Sequence, residues 1–318
     1  MKPMIKYRGG KSREIPSIMG YVPRFAGRYV EPFFGGGALF FHLAPREAII
    51  NDINAKLMAF YRGVRDDYEN LRRELDEIER LYARNREDFD ALKALHPDER
   101  VEDKNEDLYY ELRAMFNGNA PKEYSDALLY YYINKTAYSG MIRYNAQGEF
   151  NVPFGRYRHL NTDSVNLSHS LLLQRAEIFN TDYSDIFNMC RADDFVFLDP
   201  PYDCVFSDYG NEAYREGFNE DNHRKLAADF VNLPCKALMV IGSTPLTEEL
   251  YKGYIMGGYE KNYAVNIRNR FKSKAKHIVV ANYRRCWEEV TSWQTPYPDS
   301  GISQLRLFEA LQPYGKVD

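Results

Sequence analysis

Asp199-Pro200-Pro201-Tyr202 follows the apolar run Phe195-Val196-Phe197-Leu198 and joins a carboxylate, two rigid rings and an aromatic face. Prolines in tandem continue neither a helix nor a sheet ladder, so they predict a rigid turn at a strand end, with the carboxylate on one side and the aromatic ring on the other. Such a turn suits an amine carried on a flat ring. The exocyclic amino group of adenine is a poor nucleophile because its lone pair is delocalised into the ring. A carboxylate and a main-chain carbonyl accepting its two N–H bonds favour a pyramidal nitrogen, whose lone pair can attack a sulfonium methyl. Tyr202 would stack on the base, which a duplex must first flip out. A Pro-Pro turn with a capping Asp is the plainer reading of the same residues.

The segment Glu31-Pro-Phe-Phe-Gly-Gly-Gly-Ala-Leu-Phe-Phe lies between a strand-like run and an apolar helical run. Gly35, Gly36 and Gly37 permit a tight turn with close backbone approach, so something flat or bulky is expected against them. A dinucleotide fingerprint needs a third glycine where Phe40 stands, which disfavours NAD. Asp52, ending the next strand, is placed to take both hydroxyls of a ribose. Glycine loop and next-strand acid together suggest an adenosine ligand without phosphates, such as S-adenosylmethionine; a tight turn plus a helix cap is the alternative. Gly9-Gly-Lys-Ser12 resembles a phosphate loop, but that motif needs a glycine where Ile5 stands. What remains is a basic turn able to bring Lys6, Tyr7 and Lys11 close to a ligand.

These residues need elements to carry them. Seven β-rich runs begin at Arg28, Ala48, Ala176, Asp194, Lys236, Tyr259 and His277, several followed by helical stretches, which predicts an α/β fold with a largely parallel sheet. Glu31, Asp52, Asp182 and Asp199 end four of them. In open α/β sheets the ligand crevice lies at the carboxyl ends of the strands, so these acids are expected around one cleft; helix caps and turn formers would explain each singly. The stretch from Val64 to Tyr132 breaks the rhythm, being charged and helical, with an apolar stripe at Leu71, Leu75, Ile78 and Tyr82. From Tyr138 to Tyr157, turn signals at Gly140 and Asn145–Gly148 separate short polar-aromatic runs, which predicts a projecting loop and hairpin. The expected organisation is a catalytic domain from 1–63 and 167–286, an inserted domain at 64–166, and an extension at 287–318 containing the amphipathic run ISQLRLFEAL.

With 318 residues, 44% of them hydrophobic, there is room for a sizeable core and about two domains. Cys190, Cys204, Cys235 and Cys286 show no Cys-x-x-Cys spacing, so neither a zinc site nor a disulfide framework is indicated, and a reducing cytoplasm fits. The charged N-terminus does not read as a signal peptide, and Ala237–Ile241, the longest apolar stretch, is too short for a membrane span. The net charge of −4 is unevenly spread. Residues 1–30 carry seven Lys/Arg against one Glu, 134–160 four against one, and 261–285 eight against none, whereas 65–111 hold seventeen Asp/Glu against nine Lys/Arg. Binding faces sense local sums, so a nucleic-acid partner stays open.

In the order KYRGGK, EPFFGGGALFF, NDIN, insert and DPPY, the chain resembles the Dam family of DNA adenine-N6 methyltransferases from Lys6 to about Tyr283. RYNAQGEFNVPFGRY, from Arg143 to Tyr157, is similar to the hairpin region of Dam enzymes that methylate GATC. The resemblance implies a Rossmann-like seven-stranded methyltransferase sheet, S-adenosylmethionine as donor with no metal, and a helical target-recognition domain bearing the hairpin. By position it implies that Tyr7, Lys11, Phe33, Gly35, Gly37, Asp52 and Asp182 line the donor site. Asp199 and Tyr202 would hold the adenine, with the Pro200 carbonyl as second acceptor. Lys6, Tyr138, Ser139, Met141, Arg143 and Pro153 fall where Dam enzymes contact target bases or wedge into double-stranded DNA. The chain departs from the pattern at Ser139, where Dam carries Asn, in the long acidic insert, and after Tyr202. It leaves open a cognate restriction endonuclease as partner. The same chemistry on RNA or a protein amide, and an inactive DNA-binding homologue, are the alternatives; the intact glycine run, Asp52 and DPPY weigh against the last.

Overall fold

Apolar residues alternate along the strands and so divide between two faces, as the two-residue repeat of a strand requires. Tyr29, Ile50, Phe195 and Phe197 enter one apolar core, while Val30, Ile49, Val196 and Leu198 enter a second. A sheet covered on both sides needs helices on both, and strands this uniformly apolar are those of a parallel sheet. The computed structural model describes residues 1–7, 9–202, 218–262 and 274–284. Its strands are β1 (Tyr29–Glu31), β2 (Ala48–Asn51), β3 (Ala176–Phe179), β4 (Phe195–Leu198), β5 (Lys236–Gly242), β6 (Ile255–Asn262) and β7 (Lys274–Ala281). They form one seven-stranded sheet in the order β3-β2-β1-β4-β5-β7-β6. Strands β1 to β5 pair in parallel, and β7 runs antiparallel to both β5 and β6. This is the α/β sheet expected.

Each of the seven β-rich runs meets a strand, with two displaced starts, one of them β7, which begins at Lys274 rather than His277. Strand β6 begins at Ile255 rather than Tyr259, with a register shift between Ile255 and Gly257. Gly257 and Gly258 hide it from a reading based on β propensity. A Cβ on Gly257 would stand 2.3 Å from the Tyr21 hydroxyl, so the strand passes there only without a side chain. The remainder of that run, residues 263–267, lies outside the described residues, as do residues 268–273 of the basic stretch 261–285, the segment after Tyr202 from 203 to 217, and the tail from 285 onward.

The helices are α1 (Ile15–Met19), α2 (Ala38–Leu43), α3 (Ala55–Asp66), α4 (Tyr68–Leu95), α5 (Lys104–Asn117), α6 (Asp126–Thr136), α7 (Leu167–Leu173), α8 (Tyr183–Asn188), α9 (Glu220–Val231) and α10 (Pro245–Leu250). Within the compact unit Met1–Tyr283, buried residues of α2 through α7 join the first core, and those of α8 and α9 join the second. The stripe Leu71, Leu75, Ile78 and Tyr82 is buried along α4. Among the described residues no helix is long and apolar enough to cross a membrane.

Candidate active site

Strand order reverses between β1 and β4, and a crevice opens beyond their carboxyl ends, as such a reversal requires. The cleft has an empty volume of about 870 Å³ including its open mouth. Glu31 lies at the end of β1, Asp52 just past β2 and Asp199 just past β4, and all three line it. Asp182 does not. Its carboxylate caps α8, accepting from the Ser184 backbone N–H at 2.9 Å, while its neighbours Thr181 and Tyr183 line the cleft.

The glycine loop after β1 is held from beneath by the chain that follows β2. Asp52 Oδ2 accepts the Gly35 N–H and its Oδ1 the Asn54 N–H, both at 2.9 Å. Burial raises the Asp52 pKa, and these two backbone donors oppose the rise. The Asn51 side chain donates to the carbonyls of Pro32 and Thr181 at 3.0 Å each and accepts the Thr181 N–H at 2.9 Å, tying three strand ends together. Gly35 and Gly37 have φ of +48° and +62°, and a Cβ on Gly37 would stand 2.4 Å from the Phe34 ring. The flat group expected against the glycines is part of the protein: a Cβ on Gly35 would meet the Tyr7 ring at 2.9 Å. Phe33, half-buried, packs on Tyr183 with ring centroids 5.3 Å apart.

Across the cleft, Asp199, Pro200, Pro201 and Tyr202 lie in neither helix nor strand, and all four line it. Lys11, 2% exposed, donates to both Asp199 oxygens at 2.6 and 2.7 Å, to the Tyr202 hydroxyl, and to the Gly9 carbonyl at 3.0 Å. Its ammonium therefore sits on the carboxylate beside the aromatic ring, within the same cleft as the glycine loop. Burial pushes the Glu31 carboxyl well above the ordinary range, while the Tyr29 hydroxyl, donating at 2.7 Å, opposes this.

Beyond the cleft the hairpin forms as expected in the chain, with isolated antiparallel bridges Ala137–Phe154 and Tyr144–Phe150 and a turn closed by the Gly148 N–H on the Asn145 carbonyl at 3.0 Å. Tyr138, 51% exposed, donates its N–H to the carbonyl of the exposed Pro153 at 2.9 Å. Ser139 is exposed with φ of +56°. Arg143 is exposed, its Nε donating to Asn151 at 2.9 Å, whereas Met141 is half-buried against the first core. Lys6 joins this group because Asn134 brackets its backbone, accepting its N–H at 3.1 Å and donating to its carbonyl at 2.8 Å. The same clamp fixes where the chain enters the cleft at Tyr7.

Residues 7–267 match the family model of D12 class N6 adenine-specific DNA methyltransferases. The chain belongs to that class. Its relatives include the type II methyltransferase M.CviBI of Paramecium bursaria Chlorella virus NC1A, 35% identical over 89% of this chain and 100% of the relative. The type II methyltransferase M1.LlaDCHI of Lactococcus lactis subsp. cremoris is 30% identical over 89% and 96%, and the DNA adenine methylase of Salmonella typhi 31% identical over 79% and 84%. The matched region of this D12 methyltransferase holds every cleft and hairpin residue above except Lys6.

Among the described residues of the enzyme, no group of three or more His, Cys, Asp or Glu is placed to hold a metal ion. Residues in or behind the site that the sequence did not single out are Glu14, Asn51 and His277. Lys135 lies at the end of α6, and burial, with Lys6 adding to it, lowers its pKa to about 8. No spacing rule could have found Glu14, Asn51 and His277, because their partners come from distant parts of the chain.

Proposed function

We propose that this D12 methyltransferase moves a methyl group from S-adenosylmethionine to N6 of an adenine flipped out of duplex DNA. The observation that carries the reading is that the Asp52-tethered glycine loop and the Asp199–Tyr202 turn open into one cleft. The donor suits the residues present. Among the described residues that line the cleft, the carboxylate of Asp52 is held only by backbone N–H groups and the one lysine, Lys11, is already paired with Asp199, which supports a cationic nucleoside over a phosphorylated one. Tyr7, Phe33, Gly35, Gly37 and Asp52 would hold it, with Asp182 shaping the wall through α8. When bound, the donor supplies an electrophilic sulfonium methyl.

The Asp199 carboxylate and the Pro200 carbonyl accept the two N–H bonds of the adenine amine, which concentrates the lone pair on nitrogen. Tyr202 supplies the stacking face. Adenine binding exchanges the Lys11 ammonium for an amino group on the same carboxylate. If labelled methyl passes from S-adenosylmethionine to duplex DNA and not to RNA or protein offered in parallel, the reading stands; transfer to RNA or protein alone overturns it. Stacking makes a separate prediction. Tyr202→Phe should retain most activity while Tyr202→Ala loses base binding, since base–aromatic stacking contributes about 1–3 kcal/mol. Equal impairment of the two on a 2-aminopurine-substituted target would remove the stacking role.

In this reading residues 64–166 are the target-recognition domain inserted into the catalytic one, and 287–318 an extension. The exposed Tyr138, Ser139 and Pro153, with Lys6 and Arg143 beside them, form the face presented to DNA, with Tyr138 as wedge. GATC is the proposed target, supported by the hairpin sequence, and Met141 would reach a thymine methyl from its half-buried position. The reading includes action in the cytoplasm and a cognate restriction endonuclease, the latter supported by relatives named type II methyltransferases. Arg143→Ala should relax selectivity at a guanine position, because a bidentate contact to guanine is worth about 1–3 kcal/mol of discrimination. Sequencing the methylation pattern of treated plasmid decides this: an unchanged profile at lower yield would make Arg143 a phosphate contact, with a salt slope reduced by about one.

A further inference from the structure

We propose that Glu14 and His277 are positioning residues for Tyr202, fixing the aromatic face on which the target adenine stacks; the inference rests on the stacking role assigned above. His277 lies on β7, fully buried, opposite Gly242 of β5 in the sheet register. The Tyr202 ring covers that pair. Its centroid is 5.2 Å from the His277 ring, and a Cβ on Gly242 would stand 3.7 Å from its Cγ. The imidazole is thus the wall behind the Tyr202 ring.

That wall is itself held by chemistry. His277 Nδ1 stands 3.3 Å from Glu14 Oε2, and the same oxygen accepts the Tyr259 hydroxyl at 2.6 Å. Tyr259, opposite His277 on β6, packs edge-on against the imidazole at 5.3 Å between centroids. Glu14 is 5% exposed. Burying a carboxylate against an imidazole is poor evidence for stability, because desolvation cancels most of the attraction that an apolar pair would not need. Its distinct effect is orientation. The imidazole is confined between a carboxylate oxygen and the Tyr259 ring, and the Tyr202 ring packs against it at an interplanar angle of 57°, so a displaced imidazole displaces the face that Tyr202 offers.

The arrangement also joins both halves of the Asp-Pro-Pro-Tyr turn to one short stretch of chain. The Glu14 N–H donates to the Lys11 carbonyl at 2.8 Å, so the turn that sends Lys11 to Asp199 sends Glu14 to His277. This gives the N-terminal Gly-Gly-Lys-Ser turn a role that needs no phosphate. Lys11 holds the carboxylate, and Glu14, through His277, holds the ring.

The test is a double-mutant cycle on the full chain, with kcat/KM measured on duplex DNA carrying adenine at the target position, base flipping followed on a matching duplex carrying 2-aminopurine there, and S-adenosylmethionine affinity followed by calorimetry. His277→Gln and Glu14→Gln should each lower kcat/KM for DNA by about tenfold and reduce the flipped-base fluorescence signal, with donor affinity unchanged. In a Tyr202→Ala background the same substitutions should change kcat/KM by less than about twofold, since the ring they orient is gone. A merely structural role predicts equal losses in both backgrounds, and that result overturns the proposal. Glu14→Gln is nearly isosteric and carries the test if His277→Gln melts early. Should Tyr202→Ala be impaired while both glutamine variants match wild type, positioning alone fails; an unimpaired Tyr202→Ala removes the stacking reading and this inference with it.

Discussion

Asp199→Ala is expected to abolish methyl transfer. Losing the acceptor for the adenine amine removes stabilisation on the scale of about 10²–10³-fold or more in rate, since each ~1.4 kcal/mol of barrier is tenfold. The variant has a second consequence that the sequence does not show. Lys11 is buried and donates to both Asp199 oxygens, so truncation leaves its charge with only the Gly9 carbonyl and Tyr202 hydroxyl of the partners described above. Breaking a buried pair from one side costs about 3–5 kcal/mol, less where other acceptors remain. A thermal melt should therefore show Asp199→Ala destabilised and Asp199→Ala/Lys11→Met recovered, while single-turnover assays find both inactive. Wild-type turnover in Asp199→Ala would end the carboxylate's role. Asp199→Asn, which keeps one acceptor oxygen, should retain a trace of activity.

Asp52→Ala should weaken donor binding by more than tenfold and loosen the loop that forms the site. The carboxylate accepts the buried Gly35 N–H, and an orphaned buried donor costs about 1–3 kcal/mol. Asp52→Asn separates the two effects, because its carbonyl oxygen can still hold one backbone N–H while the charge is lost. Titration calorimetry with S-adenosylmethionine checks this, and unchanged affinity in both variants would remove Asp52 from the donor site. A pH dependence follows with a definite sign. Burial raises the Asp52 pKa above its ordinary 3.8, so acidification neutralises the carboxylate earlier than in a free side chain. Donor affinity should fall as pH falls, with a midpoint above 3.8 in the wild type and no such transition in Asp52→Asn.

What the amino-acid sequence determined by itself is everything that depends on neighbours along the chain. Short runs rich in β-branched and aromatic residues predicted the strands because such side chains favour extended backbone wherever they stand in the chain. The stripe Leu71, Leu75, Ile78 and Tyr82 predicted the buried face of α4 because side-chain direction on a helix follows position alone. The glycine run and the Pro-Pro pair predicted two tight turns because backbone freedom and its loss are local properties. The tertiary structure decided who meets whom. Lys11 and Asp199 are 188 residues apart, and only the folded chain brings the N-terminal turn to the end of β4. Asp182 carries the same chemistry as Asp52 and also follows a strand, yet it turns to cap α8 while Asp52 turns to the glycine loop. Tyr7 fills space against Gly35 that local reasoning left to a ligand. Such choices depend on which donor lies within about 3 Å of a carboxylate, a distance that sequence spacing does not encode once the chain has crossed the sheet.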